Sequence, residues 1–175
     1  LPIFRRKNKI KEEIERYSII RAVTAVERAD VVIIVIDATE GVTEQDAKIA
    51  GIAHDRGKGI IIAVNKWDAI EKDNNTVKKH TEKIRQILSF MPYAEILFIS
   101  AKSGQRLNKI FEMIDVVIEN NSMRVATGVL NEIVTEAVAM QQPPTDKGKR
   151  LKIYYVTQVA VKPPTFVVFV NDKNL

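Results

Sequence analysis

Three short runs of branched apolar residues set the strongest limit on how this 175-residue chain can fold. They cover residues 31–36, 60–64 and 96–99, and the stretches between them have the i, i+3, i+4 spacing of amphipathic helices. A continuously apolar strand is typical of a sheet that is covered on both faces, as parallel sheets usually are. The alternation therefore predicts an α/β fold in which a parallel sheet is flanked by helices.

Helical patterns fill most of the first two thirds of the chain. Residues 10–29 have helical periodicity. Thr43 and Asp46 have the spacing of a capping pair, which predicts that a helix starts between them. A later helix is predicted to run to about Phe90, because Pro92 cannot continue it.

Residues 122–175 have a different pattern. A helix is predicted around 130–137, and strands rich in Val, Tyr and Phe are predicted over 152–159 and 166–170. This order of helix, strand and strand is typical of an α+β module. The sequence therefore predicts two domains, residues 1–121 and 122–175, and we expect a further helix to be needed to cover the second one.

Composition narrows the classes of function. The chain is 46% hydrophobic and 28% charged, which is typical of a soluble globular protein. Cysteine is absent, which excludes disulfides and thiolate metal sites and fits a cytoplasmic location. No apolar run approaches the roughly 20 residues of a membrane span, so no membrane partner is expected. The net charge of +5 comes from basic flanks, which suit either a nucleic-acid partner or a solvated surface.

Polar residues follow directly after the second apolar run. They are Asn65, Lys66, Trp67 and Asp68. An aspartate carboxylate accepts two hydrogen bonds from guanine N1–H and N2–H₂, and adenine offers no such pair of donors on that edge. Ligands of parallel sheets bind at the carboxyl ends of strands. Asn-Lys-x-Asp at this place therefore favours guanine binding, with an ordinary strand-to-helix turn as the alternative.

A second polar group follows the third apolar run. Ser100, Ala101 and Lys102 lie one strand–helix unit after the first group, and Asp37 closes the first run. Ser-Ala-Lys alone is a weak signal, because loops commonly contain such residues. Together with the first group it predicts a guanine site at one edge of the sheet, whereas Asp37 is interpreted as a cap of the strand end.

The order of these motifs resembles the double-Era GTPases, a family also called Der or EngA. The residues behind the resemblance are, in order, Arg5–Ile10, Glu12–Ser18, Arg21–Ala22, Asp37–Ala38, Asn65–Asp68 and Ser100–Lys102. It implies the second half of a P-loop GTPase domain over residues 1–121 and an incomplete KH-like domain over 122–175. It also implies GTP or GDP as ligand, Mg²⁺ in the parent protein, a preceding GTPase domain, and a role in assembling the large ribosomal subunit through its RNA or protein.

The resemblance further implies a base-binding role for six residues: Asn65, Lys66, Asp68, Ser100, Ala101 and Lys102. Asp68 would read guanine N1 and N2, and the Ala101 N–H would bind O6. Asn65 would contact the O6/N7 side of the base and tie the two loops together. The two lysines would cover the faces of the base, and the serine would brace the Asp68 loop.

The phosphate half of such a site departs from the family's pattern. Gly-Lys occurs only at Gly57–Lys58 and Gly148–Lys149, and neither pair is part of a P-loop. Asp-x-x-Gly, the family's magnesium-linked motif, does not occur in the sequence. We therefore expect a segment of a longer GTPase, with no Mg²⁺ ligands of its own and no GTP hydrolysis by itself.

A second hypothesis belongs to a different class of function. The chain is then a non-catalytic module for RNA or protein interaction. It retains the base loops, Asn65–Asp68 and Ser100–Lys102, as structure. Tyr154, Tyr155, Phe166 and Phe169 would form a base-stacking platform, or several of them would be core or interface residues. Residues 122–175 contain no Gly-x-x-Gly, the motif with which KH folds clamp RNA.

Overall fold

The computed structural model describes residues 18–143, 145–146 and 148–173. The basic run near residue 5 and the first part of the predicted helix over 10–29 lie outside the described residues. The chain divides into two compact units after Ile118. No described helix combines the length and apolar character needed to cross a membrane.

The first unit alternates helices and strands. Residues 18–28 are helical and are named α1. The elements that follow are β1 (Val31–Asp37), α2 (Glu44–Asp55), β2 (Gly59–Asn65), a 3₁₀ turn (Trp67–Ala69), α3 (Thr76–Ile87), β3 (Glu95–Phe98) and α4 (Leu107–Ser122).

The three strands form one parallel sheet in the order β1–β2–β3. In this register Val31 lies opposite Gly59, and Asp37 lies opposite Asn65. β2 is buried from its first residue to Val64, as expected for the central strand of a sheet covered on both faces. The predicted α/β fold with a parallel sheet and flanking helices is confirmed.

The start of α2 is the predicted capping box. The Asp46 N–H donates to Thr43 Oγ1 (3.2 Å), and the Thr43 N–H donates to Asp46 Oδ2 (2.9 Å). Two N–H groups that a helix start leaves without partners are thereby satisfied. This fixes where the loop after β1 ends, and that loop borders the candidate site.

α3 ends at Ile87, three residues before the predicted end near Phe90. Leu88 leaves the helical conformation, with φ −100° and ψ 41°. Both Leu88 and Met91 are fully buried. Because burial of these apolar side chains turns the chain into the core, the helix stops before Pro92 is reached.

Gly59→Ala is expected to lower the free energy of unfolding by about 1–3 kcal/mol, because overpacking a core forces neighbours to move. A Cβ at Gly59 would lie 2.5 Å from Val117 Cγ1 and 3.2 Å from Val31 Cγ2, and both side chains are stiff. Gly51 in α2 is the matched control, since its Cβ would meet nothing within 4 Å. Gly51→Ala is expected to stabilise by about 0.5–1 kcal/mol, through helix propensity. Urea denaturation measures both, and equal midpoints would contradict the close approach at Gly59.

The second unit is a helix with short antiparallel strands. Its elements are α5 (Thr127–Met140), β4 (Thr145–Asp146), β5 (Lys149–Arg150), β6 (Ile153–Ala160) and β7 (Thr165–Val170). β6 pairs with β7, and β4 pairs with β5 in a small hairpin that the sequence pattern did not predict. The predicted α+β module is confirmed.

Two side-chain amides fasten neighbouring segments to β6. Asn131 of α5 bonds both backbone groups of Val156, donating to its carbonyl (2.8 Å) and accepting from its N–H (2.9 Å). The buried Gln158 accepts from the Val125 N–H (2.7 Å) and donates to the Met123 carbonyl (2.9 Å). These bonds hold α5 and the segment before it against the strand.

The four aromatic rings singled out in this unit are exposed. Tyr154, Tyr155, Phe166 and Phe169 are between 42% and 66% accessible. They are therefore not core residues of this unit, and both the base-stacking platform and the interface role stay predictions. One face of β6 packs on α5 through Val156, while the sheet of only two strands leaves the rings uncovered.

Candidate nucleotide-binding site

The carboxyl ends of the three strands meet at one edge of the sheet. The Ala38 N–H, just past β1, donates to the Asn65 carbonyl at the end of β2 (2.9 Å). The Ile99 N–H, just past β3, donates to the Val64 carbonyl (2.8 Å). The loops after β1, β2 and β3 therefore start side by side, where ligands of parallel sheets bind.

The Asp68 carboxylate is held by a serine of the next loop. Ser100 Oγ donates to Asp68 Oδ1 (2.5 Å) and accepts from the Ser103 N–H (3.2 Å). Ser100 is fully buried, whereas Asp68 is exposed. The Ser100 hydrogen bond is the main cause that lowers the pKa of Asp68, and the ammonium groups of Lys102 and Lys72 lower it further. An ionised acceptor is thus presented to solvent.

The Asn65 amide joins the two loops that carry the motifs. Asn65 Oδ1 accepts from the Ala101 N–H (2.9 Å). The same N–H is the group predicted to bind guanine O6. Binding of O6 requires this N–H to be shared between two oxygens or released by Asn65, because one N–H is a single donor.

Lys66 points toward the first loop of the edge. Its backbone is left-handed, with φ 61° and ψ 30°. Its ammonium forms an ion pair with the Asp37 carboxylate. Lys66 and then Thr39, as hydrogen-bond donors, lower the pKa of Asp37 to about 2. Whether Lys66 also covers a face of the base remains a prediction.

Trp67 anchors the base loop to the core. The residue is 2% exposed, and its backbone N–H donates to the Ile99 carbonyl (3.0 Å). Its ring centroid lies 4.4 Å from that of Phe98 and 5.2 Å from that of His80 on α3. Trp67 therefore packs against the neighbouring helix α3. The Lys72 ammonium lies 5.9 Å from the indole centroid, within cation–π range.

Sequence reasoning missed two residues of this edge. The interpretation of Asp37 as a strand cap leaves out that it ends the strand next to the one that carries the motif. Its ion pair with Lys66 follows from that register. Lys72 was not singled out, because its place beside Trp67 and Asp68 depends on how the loop folds.

Ser100→Ala is expected to raise the pKa of Asp68 toward its ordinary value, because the hydroxyl is the main group that stabilises the carboxylate. The pKa of Asp68 is depressed in the folded state, so the stabilisation is present above the unfolded pKa and is lost as the pH falls through the folded pKa. In Ser100→Ala the folded-state pKa of Asp68 is higher, so this stabilisation is lost at a higher pH than in the unaltered protein. Carbon-13 NMR titration of the Asp68 carboxyl measures it, with the exposed Ser89→Ala as control. An unchanged Asp68 pKa in Ser100→Ala would refute this role.

A magnesium site needs several oxygen ligands close together. Across residues 18–143, 145–146 and 148–173, no group of three or more His, Cys, Asp or Glu side chains could hold a metal ion. The described residues therefore do not by themselves form an all-protein cage for a metal ion.

Two protein families match the chain. The Elongation factor Tu GTP binding domain family matches residues 18–120. The KH-domain-like family of the C-terminal part of EngA bacterial GTPase enzymes matches residues 124–175. Between them the two matches cover the sheet with its helices and the α+β module.

Several curated relatives are similar over almost the whole chain. GTPase Der of Agathobacter rectalis is 95% identical over 171 residues, GTPase Der of Alkaliphilus metalliredigens is 61% identical, and GTPase Der of Thermoanaerobacter sp. (strain X514) is 58% identical. Each alignment covers 98% of this chain and 39% of the relative. The chain thus spans about two fifths of the length of these relatives.

Solved structures of a translation elongation factor have the same fold. SelB from Methanococcus maripaludis, in complex with the GTP analogue GppNHp, has a TM-score of 0.51 at 25% identity, covering 57% of this chain and 22% of that chain. Its apo form also has a TM-score of 0.51 at 25% identity, over 59% and 23%. The chain therefore belongs to the Der (EngA) family of GTPases, with part of a GTP-binding domain over residues 18–120 and the family's C-terminal KH-like domain over residues 124–175.

Proposed function

We propose that this chain reads the guanine base of GTP and GDP within a longer GTPase that assists assembly of the large ribosomal subunit. The observation that carries the guanine part is the Asp68 carboxylate, which is exposed, ionised and held by Ser100 at the edge of the sheet. The complex of the related SelB with a GTP analogue supports the same class of ligand.

The proposed base contacts are those that the resemblance to the family implies. Asp68 accepts from guanine N1–H and N2–H₂, and charge strengthens both hydrogen bonds. Ala101 donates to O6 with an N–H that it shares with Asn65 Oδ1, so that Asn65 lies on the O6/N7 side and keeps the loops together. Lys66 and Lys102 cover the faces of the base with their aliphatic stems. Adenine is rejected because it offers the carboxylate no matching pair of donors.

Hydrolysis belongs to the whole protein in this proposal. Catalysis of phosphoryl transfer depends on groups placed around the phosphates and the metal. Residues 1–175 contain neither a P-loop nor Asp-x-x-Gly. We therefore expect the isolated chain to bind GTP at best very weakly and not to hydrolyse it. Sub-micromolar binding of radiolabelled GTP by the isolated chain would contradict the proposal.

The ribosomal part rests on the family and on the charge of the chain. The C-terminal flank is basic, which suits contact with ribosomal RNA phosphates. In this proposal a preceding GTPase domain of the same protein acts together with this one, in the cytoplasm. GTP and GDP would set different positions of the KH-like domain and so control its release from the subunit.

Sedimentation with purified ribosomal subunits tests the ribosomal part. The whole protein with a non-hydrolysable GTP analogue is expected to sediment with the large subunit, and less so with GDP. The small subunit serves as the comparison. Equal recovery with both subunits, or no dependence on the nucleotide, would contradict this part and leave the guanine part standing.

The second hypothesis, a non-catalytic interaction module, is favoured by one observation. Tyr155 and Phe169 contact each other on the exposed sheet, with ring centroids 5.8 Å apart. Exposed aromatic rings are typical of surfaces that bind protein or single-stranded RNA. If this hypothesis is right, the whole protein binds ribosomal RNA or protein equally well with and without guanine nucleotide.

A further inference from the structure

The two oxygens of the Asp37 carboxylate contact two different loops. Oδ1 accepts from the Thr39 N–H (2.9 Å) and the Thr39 hydroxyl (2.7 Å), which closes the turn after β1. Oδ2 pairs with the Lys66 ammonium in the base loop. The Asp37 side chain is only 20% exposed, whereas that of Lys66 is 59% exposed. Capping the strand end needs only Oδ1, so the contact of Oδ2 with Lys66 has a separate role.

The backbone conformation of Lys66 gives its ion pair with Asp37 a physical role. A residue other than glycine at φ 61° is strained, and it persists only where its surroundings fix it. The Lys66 carbonyl accepts from the Ala69 N–H (2.9 Å), which fixes the C-terminal side of the residue. The ion pair with Asp37 fixes its side chain, and the nearby Glu40 also favours the ammonium form.

The sheet sets the distance between the two partners. Asp37 lies opposite Asn65 in the β1–β2 register, and Lys66 directly follows Asn65. The bond from the Ala38 N–H to the Asn65 carbonyl continues the pairing past the strand ends (2.9 Å). The carboxylate is therefore held on a rigid element, while the lysine lies on a loop.

We propose that Asp37 is a positioning residue of the guanine site, which holds the Lys66 ammonium so that the lysine stem is already ordered at the edge where the base binds. This inference rests on the proposed guanine function. A free lysine side chain has many rotamers, and ordering it on binding costs affinity. Asp37 removes that cost without touching the nucleotide.

GDP affinity of the whole protein, measured by calorimetry with the guanine site of the preceding GTPase domain inactivated, tests this in a double-mutant cycle. Asp37→Asn is expected to weaken GDP binding about fivefold, the scale of a partly exposed ion pair. Lys66→Met weakens it as well, and adding Asp37→Asn to Lys66→Met is expected to have no further effect. Thr39→Val, which removes the hydroxyl from the turn but leaves the ion pair, is expected to keep the wild-type affinity. Glu44→Gln, which breaks the Glu44–Lys48 pair on α2, is the charge-matched control.

Each result of the cycle decides the proposal. An unchanged affinity in Asp37→Asn overturns it, as does an equal loss in the wild-type and Lys66→Met backgrounds. If Asp37→Asn does not fold, Lys66→Arg replaces it, because arginine retains the ion pair. Affinity close to wild type in Lys66→Arg then supports the proposal, and a loss as large as in Lys66→Met overturns it. A wild-type protein that binds no guanine nucleotide instead overturns the proposed function itself.

Discussion

Asp68→Asn is expected to change the base preference of this chain's site, within the whole protein, from guanine to xanthine. The amide replaces one carboxylate oxygen by a donor, so one of guanine's two N–H groups loses its acceptor and the other loses its charged partner. Hydrogen bonds to charged groups contribute roughly 1.5–3 kcal/mol each, so GDP affinity is expected to fall at least about 100-fold. Xanthine carries an oxygen in place of the 2-amino group, and the new amide can donate to it.

Calorimetry with GDP and XDP measures this change, with the guanine site of the preceding GTPase domain inactivated in every protein compared. Asp115→Asn is the control, since Asp115 is an exposed aspartate of α4 that lies away from the base loops in sequence. It is expected to bind GDP like the unaltered protein. An unchanged preference for GDP over XDP in Asp68→Asn would remove Asp68 from the base-reading role.

Trp67→Ala is expected to lower the free energy of unfolding by about 3–5 kcal/mol, the usual cost of emptying a large aromatic site in a core. The side chain is almost fully buried and packs on Phe98 and His80. The base loop would lose its anchor at the same time. Guanine affinity is therefore expected to fall even where the variant remains folded.

Urea denaturation followed by circular dichroism is the suitable measurement, because Trp67 is the single tryptophan of the chain and fluorescence is lost with it. Phe111→Ala is the matched control, since Phe111 is 71% exposed and its removal is expected to change stability by no more than about 0.5 kcal/mol. Similar midpoints for the two variants would contradict the anchoring role of Trp67.

The parallel sheet was predictable because its strands are apolar along their whole length. A strand such as β2 fits only the middle of a covered sheet. The end of α3 was placed too late, because burial of Leu88 and Met91 stops the helix before Pro92 does. The hairpin of Thr145–Asp146 with Lys149–Arg150 was missed, since such short polar strands carry no apolar period.

The candidate site was predictable in its motifs and less so in its pairings. The sequence indicates Asn65 and Asp68 as site residues because they follow a buried strand. The ion pair between Lys66 and Asp37 depends on the register of β1 with β2, which no local pattern encodes. Likewise, the bond between Asn65 and the Ala101 N–H exists only once both loops are folded.

Competition among purine nucleotides tests most directly whether this chain recognises the guanine base. The guanine site of the preceding GTPase domain is first inactivated in the whole protein. Fluorescently labelled GDP bound to the remaining site is then displaced by unlabelled GDP, IDP or ADP, and the three affinities are compared. IDP lacks the 2-amino group that Asp68 accepts from, so it is expected to bind roughly tenfold or more weakly than GDP. ADP is expected not to displace the label at millimolar concentration. Displacement by ADP at the same concentration as GDP would contradict guanine recognition by this chain.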